Sequence, residues 1–470
     1  MKRNVTILGA GLVGSLLAIL LRRRGYAVEV FERRPDMRKA AIGAGRSINL
    51  AMSTRGWKAL ELAGLKEEME SLAIPMKGRF LHLPDGSNAM QAYGRNGEAI
   101  FSVSLGELNK HLMTLAEKAG ATIHFNQRCQ KVDVASNTIF LEESSGDANT
   151  FSRLGANDSS DLIEKQVDLL FGADGAFSAL RTSYSHTDRI SSAQDYIEYG
   201  YKELNIEPGK ENPWLLEKNA LHIWPRGKFM LIALPNIDGS FTCTLFMPFE
   251  GENSFETLQT EASIKTFFEK HFVDAIPLMP DYLEQFKRNP VASLITTYIS
   301  QWHHADMSAL IGDAAHAVVP FYGQGMNAGF EDCTVLDSLM NSYAEDWTTI
   351  LQNFQEKRKP NGDAVAALAL LNFTEMRDKV ADPVFLERKK IEKEIGLLYP
   401  EKFTSVYELV SFTHTPYDTA MKCIAAQDVL LAHIMEQGSF QENIKEPAFK
   451  KNLDAWMEEY AKNVSTFDFA

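Results

Sequence analysis

Three short segments, far apart in the chain, carry the residue types and spacing that point to chemistry. Gly9-Ala10-Gly11-Leu12-Val13-Gly14 follows an apolar run, Val5 to Leu8, and opens a helix-like stretch. At that spacing the glycines serve a tight turn, close approach to a pyrophosphate, and packing of the helix on the strand. Glu32 ends a second apolar run, Ala27 to Phe31, about 20 residues beyond the glycines, where an acid accepts hydrogen bonds from a ribose. The other two segments are Gly172-Ala173-Asp174-Gly175 and Gly312-Asp313-Ala314-Ala315-His316. A nicotinamide dehydrogenase needs only the first segment, whereas an aspartate-bearing turn far downstream is what the ribityl chain of a bound flavin needs. The combination points to FAD.

The third segment continues as Ala317-Val318-Val319-Pro320-Phe321-Tyr322-Gly323-Gln324-Gly325-Met326-Asn327-Ala328-Gly329. Leu310-Ile311 reads as a strand end and Asn327 as a helix start, so Gly323 and Gly325 lie where backbone amides turn toward a ligand. A helix N-terminus there carries partial positive charge. A reduced flavin is anionic around N1 and O2, which suits the Met326 and Asn327 amides, while Asp313 suits the ribityl hydroxyls. His316 has no partners at metal-ligand spacing and the flavin would perform the oxygen chemistry, so no side chain is assigned a catalytic role and no metal site is read. Trp302-His303-His304 reads as a solvated turn and His82 as a strand histidine. Arg79 is a lone arginine in an otherwise apolar hairpin, where it must be paired or exposed. A bidentate guanidinium suits a substrate carboxylate, and Tyr93 on the partner strand is placed to donate to the same group.

The elements that must position these residues follow from periodicity and turn signals. The start of the chain reads as strand, helix, strand, loop and helix, with Ser53 as N-cap of a helix through Leu62 and Gly64 as its stop. Arg22-Arg23-Arg24 closes the first helix before Gly25 and complements its dipole. Arg79 to Leu83 and Met90 to Tyr93 flank Pro84-Asp85-Gly86, a hairpin signal. Ser104 to Lys118 reads as an amphipathic helix ended by Gly120 before the strand Thr122 to Phe125. The segment Ser144 to Asp161 reads as an exposed hairpin loop. From Tyr196 to about Phe249, alternating strands such as Met230 to Leu234 and Phe241 to Phe246 predict one antiparallel sheet, with Met230, Ile232 and Leu234 on one face as wall of an apolar pocket or as ordinary core. Beyond Pro383 the sequence is helical and closes with a helix from Asn452 to Lys462.

The predicted fold class is therefore α/β: a Rossmann-like FAD-binding domain, an antiparallel-sheet substrate domain and a C-terminal helical domain. The boundaries are 1–75, 100–190 and 295–382 for the first, 76–99 and 191–294 for the second, and 383–470 for the third. A chain of 470 residues, 45% hydrophobic, can bury cores for two or three domains. Its formal net charge of -14 argues against nucleic-acid binding. The four widely spaced cysteines, Cys129, Cys243, Cys333 and Cys423, make no C-x-x-C pair, which fits a reducing cytoplasm. The N-terminal apolar run is interrupted by glycines at Rossmann spacing and no run reaches the roughly 20 apolar residues that span a bilayer, so neither a signal peptide nor a membrane anchor is read.

Beyond these general signals, the chain resembles the kynurenine 3-monooxygenase family of group A flavoprotein aromatic hydroxylases. The resemblance is carried by Gly45-Arg46-Ser47-Ile48-Asn49-Leu50-Ala51, Pro75-Met76 with Arg79, Tyr93-Gly94, and His222-Ile223-Trp224-Pro225-Arg226-Gly227. Val319 to Asn327, Asn372-Phe373 with Glu375-Met376-Arg377, and Tyr407 with Val410-Ser411-Phe412 extend it over most of the chain. It implies L-kynurenine as substrate, with the carboxylate held by Arg79, Tyr93, Asn372 and Tyr407 and the ring enclosed by Ile232, Leu234, Phe246, Pro320 and Phe321. It implies FAD contacts from Val13, Phe31, Glu32, Arg33, Arg34, Ala51, the Cys129 backbone, Asp313, Met326 and Asn327, beside the glycines Gly9, Gly11, Gly14, Gly323 and Gly325. Where the family usually has arginine after Ser102-Val103-Ser104, this chain has Leu105, so one flavin contact is expected to be missing.

The implied reaction is reduction of FAD by NADPH, formation of a C4a-hydroperoxide with O2, and transfer of its distal oxygen to the ring carbon ortho to the aniline nitrogen, giving 3-hydroxy-L-kynurenine. This places the chain in tryptophan degradation toward quinolinate and NAD. A single dinucleotide fingerprint implies that NADPH binds transiently in a shared cleft. The alternatives are another aromatic-acid hydroxylase with the same flavin motifs, or a non-catalytic binding protein of the FAD fold. A flavin-dependent halogenase is disfavoured by the lack of a Trp-x-Trp motif. A homo-oligomer is compatible with the sequence.

Overall fold

The glycine turn forms because its neighbours leave no room for side chains. In the computed structural model the strand Asn4–Leu8 enters the turn and the helix Leu12–Arg23 leaves it. Gly9 has φ +92°, and a Cβ there would sit 2.6 Å from the Ala173 carbonyl oxygen. A Cβ on Gly14 would sit 2.1 Å from the Gly9 carbonyl oxygen, so the helix packs directly on the turn. Gly11 differs, since its Cβ would meet nothing within 4 Å. The structure describes residues 2–39, 49–95, 97–143, 162–187, 189–379 and 382–467. The expected loop from Ser144 to Asp161 lies outside these, as does Gly45 to Ile48 of the family segment; the arms of that loop, Thr138–Glu143 and Ile163–Gln166, do pair antiparallel.

Among the described residues the strands form four sheets. The six-stranded nucleotide sheet places Asn4–Leu8 between Ala27–Phe31 and Leu169–Gly172, all parallel, with Ser308–Leu310 parallel on the far side of Leu169–Gly172. Parallel strands buried by helices on both faces need continuous apolar runs, which Leu169–Gly172 shows by being buried throughout. The C-terminal ends of these strands bring Gly9, Glu32, Asp174 and Asp313 to one edge, the position where open α/β sheets bind ligands. The expected helix starting at Asn327 begins two residues earlier, at Gly325, and runs to Tyr343.

The second large sheet has seven strands. The hairpin Gly78–His82 and Asn88–Ala92 turns at Gly86, φ +83°, as Asp-Gly predicts. Met230–Pro235, Phe241–Pro248 and the long Ser192–Ile206 pair antiparallel as expected. One junction departs from that expectation: Leu221–Pro225 runs parallel to Gly78–His82. The hairpin comes from an earlier part of the chain and adds to the open edge of the later meander through this parallel pairing. One face of the sheet is covered by the helices Glu261–His271 and Tyr282–Arg288, burying Leu231, Leu245, Phe268 and Phe286. The other face, with Met230, Ile232 and Phe246, packs on Phe321, Phe373 and Met376.

Trp302-His303-His304 is not a solvated turn. Trp302 is 1% exposed and stacks on His316, and His303–His304 pairs with Ser308–Leu310 as an edge strand. Local polarity misled because the tryptophan is claimed by a partner far away in sequence. The C-terminal helices have a core of their own around Ile395, Leu430, Phe440 and Leu453, and share a second with Ala328, Val365 and Leu368. The closing helix is longer than expected, Pro447–Val464.

Two substitutions separate fold from ligand at the first turn. Gly14→Ala is expected to prevent accumulation of folded protein, because backbone cannot yield at 2.1 Å. Gly11→Ala should leave the apoprotein within about 0.5 kcal/mol of the parent and weaken flavin binding, measured as melting temperature without FAD and flavin retention on dialysis. An equal drop in melting temperature for both would refute this division.

Candidate active site

On the flavin side, the helix Leu12–Arg23 begins at Gly11 with no side-chain cap, so its first amides remain available to an anion. Glu32 is buried beside it. Its carboxylate accepts from the Ala10 amide at 2.9 Å and from the Arg34 amide and guanidinium at 3.0 and 2.9 Å, which fixes the end of the second strand. Phe31 precedes it, stacked on His124 at 4.7 Å. Arg33 and Cys129 both lie within electrostatic reach of Asp174. Burial pushes the Cys129 thiol up to about 12, so it stays neutral and only its backbone suits a ligand role. Asp174 accepts from the Ala179 amide at 2.7 Å through one oxygen, while its other oxygen is buried without a partner. Burial raises its carboxyl above the ordinary range.

Val13 fills the space beneath Gly312 and Gly329, where added Cβ atoms would meet it at 3.0 and 2.6 Å. Asp313 follows Gly312, whose φ is +61°. Its side chain is accessible, yet enough protein surrounds it for desolvation to raise its carboxyl pKa, as befits a group lining a deep cleft. Gly323 has φ +68° and turns the chain so that the helix starting at Gly325 points its uncapped amides into that cleft. Met326 is buried in the nucleotide-side core. Asn327 acts through its side chain in addition to its amide: Oδ1 accepts from the Ser53 amide at 2.8 Å, and Nδ2 donates to the Ala51 and Gly323 carbonyls at 2.8 and 2.9 Å. The strand Asn49–Met52 is thereby tied to the turn. Leu105 is the first residue of its helix, capped by Ser104.

These features pass the test for a dinucleotide-sized group. A glycine turn has open space at Gly11, two helix N-termini are uncapped, and a buried aspartate has an orphaned oxygen. The residues that would hold FAD are the Gly9 to Gly14 turn, Glu32, Asp313 and the Met326 and Asn327 amides.

At the far end of the cleft, Arg79 lies 5.6 Å from the Tyr93 ring centre and 5.1 Å from that of Tyr407. Tyr407 stacks on Tyr93 at 5.3 Å and on Tyr322 at 5.7 Å. Burial works against the guanidinium's charge, but the facing Tyr407 and Tyr93 outweigh it, so Arg79 stays a cation. It forms no ion pair with a carboxylate among the described residues. Burial likewise pushes the hydroxyls of Tyr93, Tyr407 and Tyr322 up, so all three remain donors. The Tyr93 hydroxyl is buried and interacts with both Arg79 and Tyr407.

Leu234 packs with Tyr93, Tyr407 and Ala51, and Ile232 joins this cluster to the sheet face. Phe246 meets Phe321 at 4.9 Å, and Phe321 meets Phe373 at 4.4 Å. Pro320 is exposed at the start of the same turn. The structure thus brings together Arg79, Tyr93, Tyr407, Ile232, Leu234, Phe246 and Phe321. Asn372 is nearby, but its amide nitrogen donates to the Phe321 carbonyl at 2.6 Å, fixing the aromatic turn. Tyr322, inside the family segment, adds a third tyrosine beside Tyr407; its aromatic neighbours are far apart in sequence and leave no local signal. His316 is buried against Trp302, its Nε2 2.7 Å from Asp332 Oδ2.

This geometry defines a flavin-binding fold in which an arginine flanked by tyrosines lies beside an apolar cluster that includes Phe321 of the flavin turn. A family model described as FAD binding domain matches residues 2–369. In fold, 2-methyl-3-hydroxypyridine-5-carboxylic acid oxygenase in its tetrameric form is similar, with TM-score 0.64 and 18% identity, covering 82% of this chain and 95% of that one. A variant of Klebsiella pneumoniae HpxO complexed with FAD gives TM-score 0.63 at 17% identity over 83% of this chain and 94% of that one. At higher identity, the kynurenine 3-monooxygenase of Christiangramia forsetii is 45% identical over 441 residues, covering 94% of this chain and 96% of the relative. That of Myxococcus xanthus is 44% identical over 472 residues, covering 99% and 98%. The chain belongs to the kynurenine 3-monooxygenase family.

Asn327→Ala would strand the Ser53 amide and the Ala51 carbonyl, at a cost of about 1–3 kcal/mol for each buried group left unpaired. Flavin should dissociate at least tenfold more readily, measured by fluorescence of released FAD. Unchanged retention would show that the link between strand and turn does not hold the site.

Proposed function

We propose that the protein is an FAD-dependent monooxygenase that hydroxylates L-kynurenine to 3-hydroxy-L-kynurenine, with NADPH and O2 as co-substrates. The observation that carries this is Arg79, a half-buried guanidinium that pairs with no carboxylate among the described residues and is flanked by Tyr93 and Tyr407 beside an apolar cluster. Membership of the family supports the same substrate. FAD, when bound, supplies the electron transfer and oxygen activation. The chain's own residues bind, aim and dry the substrate. Arg79 receives the carboxylate, with the Tyr93 and Tyr407 hydroxyls donating to it. Ile232, Leu234, Phe246, Pro320 and Phe321 enclose the ring and exclude water. Asn372 serves by holding the Phe321 carbonyl. Because the aniline nitrogen already activates the ortho carbon, orientation matters more than proton transfer by a side chain.

The same reading assigns FAD to 1–75, 100–190 and 295–382, the sheet wall to 76–99 and 191–294, and the closing cap that brings Tyr407 to 383–470. No helix among the described residues is long and apolar enough to cross a membrane, and no cluster of His, Cys, Asp and Glu among them suits a metal.

NADPH oxidation by the FAD-loaded protein is expected to rise with L-kynurenine and to yield a product heavier by one oxygen. Stimulation that produces only peroxide would make kynurenine an effector, and no stimulation would move the search to other aromatic acids. Arg79→Ala should raise KM for L-kynurenine at least tenfold, about 1.4 kcal/mol or more; unchanged kinetics would remove the carboxylate assignment.

A further inference from the structure

Arg79 sits on a hairpin at the edge of the seven-stranded sheet. That hairpin joins the meander through one short parallel ladder, Leu221↔Arg79, His222↔Phe80 and Ile223↔Leu81. Parallel pairing is slightly weaker per residue than antiparallel, and a slip of one residue would carry Arg79 to the opposite face. A side-chain lock crosses this junction on the face away from Arg79. His82 Nε2 lies 3.0 Å from His222 Nδ1, and His222 Nε2 lies 2.8 Å from the Glu217 carbonyl oxygen.

The carbonyl can only accept, so His222 Nε2 carries a proton. In the neutral ring its Nδ1 is then bare, and His82 Nε2 must be the donor. One backbone oxygen therefore sets the direction of the whole relay. Protonating His222 Nδ1 would place two N–H groups head to head and break it. Both rings are buried, at 8% and 1% exposure. Burial, then the neighbouring His222, holds His82 down at about 4, and burial lowers His222 as well.

The surroundings fix the His82 end. Its ring stacks on Trp224 at 4.0 Å and 5°. Trp224 Nε1 donates to Asp274 Oδ2 at 2.7 Å, and Arg226 Nη1 donates to the His82 carbonyl at 2.8 Å. Asp274 also faces His82 Nδ1 at 3.8 Å and Arg226 at 3.7 Å. These side chains lie on the opposite face of the sheet from Arg79, and His82 is on the same strand as Arg79.

We propose that His82 and His222 are positioning residues for the substrate's carboxylate end, a one-way hydrogen-bonded relay that fixes the register of the Arg79 strand against the sheet. This rests on Arg79 as the carboxylate anchor. The test is steady-state kinetics with L-kynurenine on the FAD-loaded protein. His222→Leu, which deletes the acceptor, is expected to raise KM at least fivefold with kcat and flavin retention within twofold. His222→Asn restores an acceptor near Nδ1 and should recover most of the loss. Combining Arg79→Ala with His222→Leu should add nothing to Arg79→Ala alone, since the relay acts through that arginine. A KM within twofold for folded His222→Leu, equal defects in the Leu and Asn variants, or additive effects in the pair would each overturn the proposal while leaving the anchor in place. Arg79→Ala without effect on KM overturns the anchor and this proposal with it. Should His222→Leu not fold, His82→Phe keeps the ring on Trp224, deletes only the donor, and is read in the same way.

Discussion

Asp332 lies fully buried in the helix Gly325–Tyr343, and both of its oxygens are engaged. One accepts from the Gly312 amide at 2.9 Å and meets His316 Nε2 at 2.7 Å; the other accepts from Arg358 Nε at 2.6 Å. Burial alone would push this carboxyl up, but His316 and Arg358 outweigh it and hold it below its ordinary value. Arg358 also reaches Glu331 at 2.6 Å, and Glu331 pairs with Arg55, which donates in turn to the Thr415 carbonyl. Two acids and two arginines thus bind the flavin turn, two long helices, the helix Thr54–Leu62 and the C-terminal segment into one charged knot. Removing one member of such a set typically costs about 3–5 kcal/mol, because the remaining charge stays buried without compensation. The turn bearing Asp313 is thereby tied to the helix behind it through the Gly312 amide and His316.

The opposite electrostatic arrangement prevails at the other end of the cleft. Where the knot satisfies each charge within the protein, Arg79 has aromatic faces and hydroxyls but no carboxylate. Cation–π contacts contribute about 2 kcal/mol when desolvated, short of the several kcal/mol it costs to bury an ion. The imbalance favours a ligand that brings an anion to Arg79.

The flavin motifs were legible because they encode backbone: Gly9 and Gly14 are glycine since carbonyl oxygens occupy the Cβ positions, and spacing alone records that. Asp85-Gly86 likewise announced the hairpin, and Arg79 stood out as a charge that an apolar strand cannot leave alone. What escaped depends on partners distant in sequence. Trp302 looked solvated until His316 stacked on it, the Asn327 side chain gave no hint that it ties Ala51 to Gly323, and the parallel junction at Leu221–Pro225 has no local signature. Tyr322 belongs to the family segment, but its place beside Arg79 follows from the Tyr407 ring far along the chain.

The distribution of the pocket along the chain carries a further consequence. The match to the general FAD-binding domain stops just short of Asn372, so Asn372 and Tyr407 both lie beyond it. Arg79 and Tyr93 come from a hairpin inserted between nucleotide-domain strands, and Tyr407 from the helix Val406–Phe412, which packs against Thr54–Leu62. The polar end of the pocket therefore exists only where inserted hairpin, flavin turn and C-terminal helix meet. The hairpin supplies the guanidinium and the Tyr93 hydroxyl, and the other two segments add the Tyr322 and Tyr407 hydroxyls beside them. The grouping of Arg79 with these tyrosines is then a property of the assembled lobes, and the ion knot that joins Arg55 to Thr415 ties the C-terminal segment to that assembly.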